Sequence, residues 1–154
     1  MTTIIDLDNC IADDAWRIPR IQWQHSDPDR RYHDYHLLAA FDSCANHDLF
    51  EGNDNVVILT ARPILFKAAT EEWLRRNGVR YKHLIMRNND DHSHSKDLKR
   101  AQLGWMRSHY GVPWSFIAAA YDDREDVVEM YRELGIPGHV RRIHDVCAYT
   151  PPKK

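Results

Sequence analysis

Cysteine is scarce in this sequence. Its three residues, Cys10, Cys44 and Cys147, stand far apart with no Cys-x-x-Cys pair. That spacing argues against a disulfide framework or a cysteine zinc site and predicts free thiols in a reducing compartment. Charge of one sign is lacking too: 21 Lys+Arg against 23 Asp+Glu give a formal net charge of -2, so there is no global basic field of the kind non-specific duplex binding requires. No long hydrophobic run occurs. The first apolar stretch, Thr2-Thr3-Ile4-Ile5, is cut short by Asp6 and Asp8, which leaves no signal-peptide core or membrane span and predicts a cytoplasmic chain with no membrane partner. There is no GxxxxGK[ST] phosphate loop, so ATP-driven phosphorylation has no support, and neither repeats nor low-complexity tracts appear.

What is present reads as one domain. A chain of 154 residues, 43% hydrophobic and 29% charged, has a globular balance and room for a single core, taken as residues 1–150 with a loose Pro-Pro-Lys-Lys tail at 151–154. Four β-rich runs, Thr2 to Leu7, Asn55 to Leu59, His83 to Met86 and Ser115 to Tyr121, predict buried strands, and a fifth is expected at His139 to Ile143. Helical patterns fill the later gaps: Pro63 to Arg76 before Asn77-Gly78, Lys96 to Tyr110 before Gly111, and Glu125 to Leu134 before Gly135. Alternating strands and helices predict an α/β, doubly wound, mainly parallel sheet. Residues 13–52 break the alternation. They are expected to form a small helical cap insertion, with a helix near Tyr32 to Cys44, that covers the site.

Ligands of such sheets bind beyond the carboxyl ends of the strands, and there the sequence is rich in polar groups. Strand one runs into Asp6-Leu7-Asp8-Asn9-Cys10, strand two into Thr60-Ala61-Arg62, and strand four into Asp122-Asp123-Arg124, while Lys96 and Lys99 open the helix before strand four. This is a set suited to phosphoryl transfer, which needs an in-line nucleophile, positive charge for the phosphate oxygens and a proton donor for the departing alkoxide. Asp6 is the expected nucleophile and Asp8 the expected acid, then base. Hard oxygen ligands from Asp6, the backbone of Asp8, and Asp123 or Asp122 would hold Mg2+. Either of the last two can be aimed inward by a twisted strand end; Asp123 is favoured, with Asp122 supporting. Thr60 and loop amides would donate to the phosphate and a lysine would neutralise it. Ala61, Arg62, Arg124, Lys96 and Asn9 complete the expected substrate-binding set, although Arg62 and Arg124 read equally well as salt-bridge partners.

In order and content these motifs resemble the haloacid dehalogenase superfamily of phosphatases across nearly the whole chain. Ile58-Leu59-Thr60-Ala61-Arg62, the stretch from Leu84-Ile85-Met86-Arg87 through Ser95-Lys96-Asp97-Leu98-Lys99, and Tyr121-Asp122-Asp123-Arg124 through Leu134-Gly135-Ile136 are similar to the phosphatase domain of bacteriophage polynucleotide kinase-phosphatases. The resemblance implies a Rossmann-like core and removal of a phosphate from a nucleic-acid 3' end or a nucleotide. It also implies Asp6 as nucleophile through an aspartyl-phosphate, Asp8 as acid/base, Lys99 as the motif lysine, and Asp6, Asp8 and Asp123 around magnesium. Asn9 and Cys10 stand where a glycine and a threonine are common. Asn tolerates the left-handed backbone that glycine supplies, and Cys10 has no Cys-x5-Arg cradle, since Trp16 is six residues on.

The insertion mixes cations with aromatics in Trp16, Arg17, Arg20, Trp23, Arg30, Arg31, Tyr32, His33, Tyr35 and His36, a composition that serves either base stacking or the insertion's own core. His92-Ser93-His94, beside Asp90 and Asp91, is a set that could bind a transition metal, but in a stretch as polar as Asn88 to Ser95 it reads rather as a mobile surface loop. Competing functions are a 5'(3')-deoxyribonucleotidase acting on free mononucleotides and a non-catalytic nucleic-acid or protein binding module. The expected partner is a phosphorylated nucleotide or nucleic-acid end; no protein partner is inferable.

Overall fold

Side-chain alternation along the strands builds two cores. In strand β1 (Thr2–Ile5), Ile4 packs on one face with Val57 and Leu59 of β2 (Val56–Pro63), while Ile5 packs on the other with Val56 and Ile58. Successive strand residues point to opposite faces, so uninterrupted apolar runs mean a sheet covered on both sides. The computed structural model describes residues 1–146 and 148, and its sheet is parallel throughout, in the order β3-β2-β1-β4-β5 with β3 His83–Arg87, β4 Ile117–Asp122 and β5 Gly138–Val140. Cys147 and the tail at 151–154 lie outside the described residues.

Helices α3 (Ser95–Tyr110) and α4 (Glu125–Glu133) cover the Ile4 face through Leu103, Met106, Val127, Met130 and Tyr131. Helix α2 (Lys67–Arg76) covers the other with Trp73 and Leu74, beside Ile11, Leu49 and Phe50. The strand order has a functional consequence. The chain winds outward from β1 to β2 and β3, then restarts on the opposite side of β1 with β4, so the sheet reverses between β1 and β4. A crevice opens beyond their carboxyl ends at such a switch point.

Several element bounds differ from the sequence expectation, each for a local reason. Strand β1 stops at Ile5, not Leu7, because the carbonyl of Leu7 accepts the amides of Cys10, Ile11 and Ala12 and turns the chain sharply. Asn9 sits in that turn at φ 60°, the left-handed conformation its side chain tolerates. Strand β2 runs on to Pro63 with a register irregularity after Leu59, so Thr60-Ala61-Arg62 lie within its distorted end rather than beyond it. A short 3-10 turn, Ile64–Phe66, precedes α2, where a continuous helix from Pro63 was expected. Strand β5 ends at Val140 because the amides of Ile143 and His144 turn instead to Asn9 Oδ1, at 3.0 and 2.8 Å.

The β1–β2 connection holds a 3-10 helix Ala15–Arg20, helix α1 (Pro28–Leu37) and a 3-10 turn Leu38–Phe41. The helix expected over Tyr32 to Cys44 therefore begins and ends earlier. Asp27 caps it by accepting the Asp29 amide, with Pro28 at the first position, and Asp42 is already extended.

Candidate active site

Three carboxylates meet at the switch point. Asp6 follows β1 directly and its amide donates to Tyr121 of β4 at 3.0 Å, which ties the two strand ends together. Asp122 ends β4 and Asp123 follows it. Oxygens of Asp6, Asp122 and Asp123 lie within 4.8 Å of one another, all three residues buried. Helix α3 brings Lys99 to them: its Nζ is 2.8 Å from Asp6 Oδ1 and 3.2 Å from Asp122 Oδ2, and it also donates to the Leu59 carbonyl. Lys99 is only 2% exposed, yet Asp122 and Asp6 outweigh its burial and raise its pKa well above the ordinary value. It is a fixed cation.

One ammonium does not balance three buried carboxylates. Burial, then the charge of Asp122, push the Asp6 pKa up to about 7 against the pull of Lys99. Clustered hard oxygens with unbalanced negative charge are the donor set a divalent cation satisfies. The two strand-end aspartates are placed differently: one oxygen of Asp122 accepts the Arg124 amide at 3.0 Å and the other faces Lys99, whereas Asp123 accepts from the Asn9 side chain at 3.4 Å.

Asp8 points elsewhere. Its carboxylate takes Arg17 Nη2 at 2.5 Å and Arg62 Nη2 at 2.7 Å, and Asp42 anchors Arg17 from behind with contacts at 2.7 to 3.1 Å. Both guanidinium groups are almost wholly buried, and Tyr35 stacks its ring 4.1 Å from the Arg17 carbon. Burial opposes ionisation of Asp8, but Arg62 and then Arg17 override it and hold the carboxyl far below the usual carboxylate range.

A small pocket of about 20 Å³ is lined by Asp6, Asp8, Ala61, Lys99, Asp122, Asp123 and Arg124, so the fold gathers seven of the expected residues there. Four others contribute differently. Thr60 is buried and its hydroxyl accepts the Arg62 amide at 3.1 Å; Arg62 is bonded to Asp8 and Thr70; Lys96 is half-buried at the start of α3 outside this pocket. Asn9 joins the loop after β1 to the carbonyl of His144 at 2.8 Å. The Cys10 thiol is buried, and burial with Asp6, Asp122 and Asp123 pushes its pKa well up, which removes it as a nucleophile.

Sequence reasoning had no means to see the Arg17–Asp42 support, because a buried arginine in an insertion carries no periodic signal. Nor did it single out Asp14, which lines the pocket while accepting from Tyr35 Oη and pairing with His144 Nε2, both at 2.5 Å. A larger cleft of about 390 Å³ adjoins the pocket and shares Ser95 and Arg124 with it. Helix α1, the 3-10 turn after β2 and the loop after β3 form its walls. That loop, expected to be mobile, is tethered: Arg87 donates to the carbonyls of Asp91 and Ser93, and His92 meets Asp29 of α1 at 2.9 Å.

His36, in the same wall, carries a testable consequence. Burial above all, reinforced by Arg17, Arg62 and Arg87 and opposed by Asp8, lowers its pKa to about 3. The folded protein therefore holds His36 neutral while the unfolded chain protonates it below about 6.5. Stability from this group is complete above pH 6.5 and is lost as pH falls toward 3, by about 2 to 3 kcal/mol between pH 6.5 and 4.5. Denaturant titrations of wild type and His36→Phe across that range should show the acid-side slope reduced by about one proton in the variant.

Comparison with known proteins agrees with the geometry. Among curated proteins no sequence matches. Of solved structures, a chain of the Pnkp1/Rnl/Hen1 RNA repair complex superposes with a TM-score of 0.67 at 21% identity, over 93% of this chain but only 43% of that one. This chain thus spans less than half of that relative's length. A hydrolase of the haloacid dehalogenase-like family from Streptococcus pneumoniae superposes with a TM-score of 0.60 at 12% identity, over 89% of this chain and 82% of that one. Likeness at these identities shows the fold, a haloacid dehalogenase-like α/β core. The family described as the polynucleotide kinase PNKP phosphatase domain matches residues 1–140, and with the strand-end aspartates, the buried lysine and the five-stranded parallel sheet in place, the chain belongs to that family of phosphatase domains.

Proposed function

We propose that the protein is a magnesium-dependent phosphomonoesterase that removes the phosphate from a polynucleotide end, through an aspartyl-phosphate on Asp6. The observation that carries this reading is the buried group of Asp6, Asp122 and Asp123 around the Lys99 ammonium at the sheet's switch point. The family supports the polynucleotide end; the 3' position comes from the motif resemblance.

Asp6, Asp123 and the backbone carbonyl of Asp8 would hold magnesium, which would supply charge against the phosphate and so let an anionic nucleophile approach it. Asp122 serves as a positioning residue for Lys99. An oxygen of Asp6 attacks phosphorus as the bond to the sugar oxygen breaks, and Lys99 offsets charge on Asp6 and on the transferring phosphoryl group. Asp8 supplies the proton the departing alkoxide needs, then takes one from the water that attacks the aspartyl-phosphate and releases inorganic phosphate and free Asp6. The Arg17–Arg62 pair keeps Asp8 ionised but makes it a weak base, so both proton transfers need Asp8 released from those guanidinium groups. A turn of Asp8 from the guanidinium groups toward the leaving oxygen would exchange two cations for an anionic neighbour and raise its pKa in the direction both transfers require.

Phosphate release should be measured from a 3'-phosphorylated oligonucleotide, a 5'-phosphorylated one and 3'- and 5'-mononucleotides, with magnesium and with EDTA. Magnesium-dependent release from the 3'-phosphorylated oligonucleotide is expected. Faster release from free mononucleotides would favour the deoxyribonucleotidase reading, and tight binding without turnover the binding-module reading. Metal affinity separates the two adjacent aspartates: Asp122→Asn, acting from outside the ligand set, is expected to weaken magnesium binding about 10- to 100-fold and Asp123→Asn by more, as read by calorimetry.

A further inference from the structure

The cleft beside the phosphate pocket has a chemistry of its own. It shares Ser95 and Arg124 with the acid-lined pocket, so it lies next to a phosphate held at Asp6. Its volume of about 390 Å³ is in the range of small-molecule sites, roughly 300 to 1,000 Å³. Tyr32 and His33 come from α1 and Phe66 from the turn after β2; His33 is exposed, Phe66 lies behind it at only 8% exposure with ring centroids 5.7 Å apart, and Leu65 at the edge is 65% exposed.

Several polar groups of this cleft are engaged by the protein itself. Asn89 Oδ1 accepts the Leu65 amide at 2.9 Å, and Arg87 donates to the carbonyls of Ala61, Asp91 and Ser93. With those donors and acceptors bonded, the exposed His33 ring is the face this wall offers a base. The remaining aromatics of the insertion have structural roles: Trp16 donates to Asp42, Tyr35 to Asp14, and Trp23 packs edge-on against Tyr32.

Building on the proposed polynucleotide phosphatase activity, we infer that this cleft seats the terminal nucleobase of the substrate strand, stacked without regard to its identity on His33, which Phe66 backs and Tyr32 flanks. Stacking on an aromatic face tolerates any base because every base has a π-face. The seat positions the sugar at the pocket mouth and leaves the rest of the strand outside.

Fluorescence anisotropy with a labelled, unphosphorylated octanucleotide in magnesium buffer tests this without turnover. Removing the terminal base to leave an abasic 3' end is expected to weaken binding about tenfold, while exchanging that base among the four changes it less than about threefold. His33→Ala and Phe66→Leu should each weaken binding of the intact oligonucleotide about three- to tenfold and leave the abasic one unchanged, with His33→Phe restoring affinity. Equal affinity for abasic and intact ends, absence of binding, or insensitivity to both the His33 and Phe66 changes would overturn the seat. Base-dependent binding by a protein that releases phosphate from no polynucleotide would retain the seat and overturn the proposed activity.

Discussion

The Asp6→Asn protein is expected to fold normally and to release phosphate at least about 10⁴-fold more slowly than wild type on every substrate, the scale seen when a covalent nucleophile is removed. Unfolding would be a trivial cause of such a loss, and the electrostatics of the pocket separate the two. Asp6 binds its proton more tightly folded than unfolded, since burial and Asp122 raise its pKa to about 7. In metal-free wild type this group favours folding at low pH, and the benefit is lost as pH rises from about 4 to about 7. Above pH 7 a neutral asparagine relieves the buried negative charge, so thermal melts in EDTA at pH 8 should show the variant no less stable than wild type. A variant that melts normally but still turns over would sink the assignment of Asp6.

Replacing Arg17 is expected to have the largest effect on stability. Arg17→Met leaves Asp8 and Asp42 buried with only Arg62 near both, at 2.7 and 3.8 Å. Breaking one partner out of a buried ion cluster destabilises by about 3 to 5 kcal/mol, because the remaining charges cannot reach water. For a domain of this size that corresponds to a fall in Tm of roughly 10 °C. Adding Asp42→Leu removes one of the stranded charges and should recover part of the loss, a coupling a thermal double-mutant cycle reads directly. Activity should fall as well, since Asp8 loses one of the two guanidinium groups that position it. Simple additivity of the two substitutions in the cycle would mean that Asp42 does not act through Arg17.

The local order of the fold was legible because it rests on short-range rules. Apolar runs such as Val56 to Leu59 are long enough for a strand and too short for a helix, and Gly111 and Gly135 follow helices α3 and α4 with φ of 65° and 79°. Boundaries were less legible where a long-range bond decides them. The end of β5, set by Asn9 across 134 residues of chain, has no local signal.

The same division runs through the site. From sequence alone came the residue types that phosphoryl transfer needs and their position after strands, since a carboxylate that interrupts an apolar run marks where a strand leaves the core. Tertiary structure decided what each one touches. Only the reversal of strand order between β1 and β4 brings Asp6 to Asp122 and Asp123, and only the packing of α3 carries Lys99, rather than Lys96, to within 2.8 Å of Asp6. It also turned Arg62 and Arg17 onto Asp8 instead of open solvent, and divided the aromatics of the insertion between its own packing and the cleft. The physical reason is reach: strand and helix periodicity is encoded over a few neighbouring residues, whereas the partner of a buried charge is chosen by chain segments tens of residues apart that meet only when the sheet is complete.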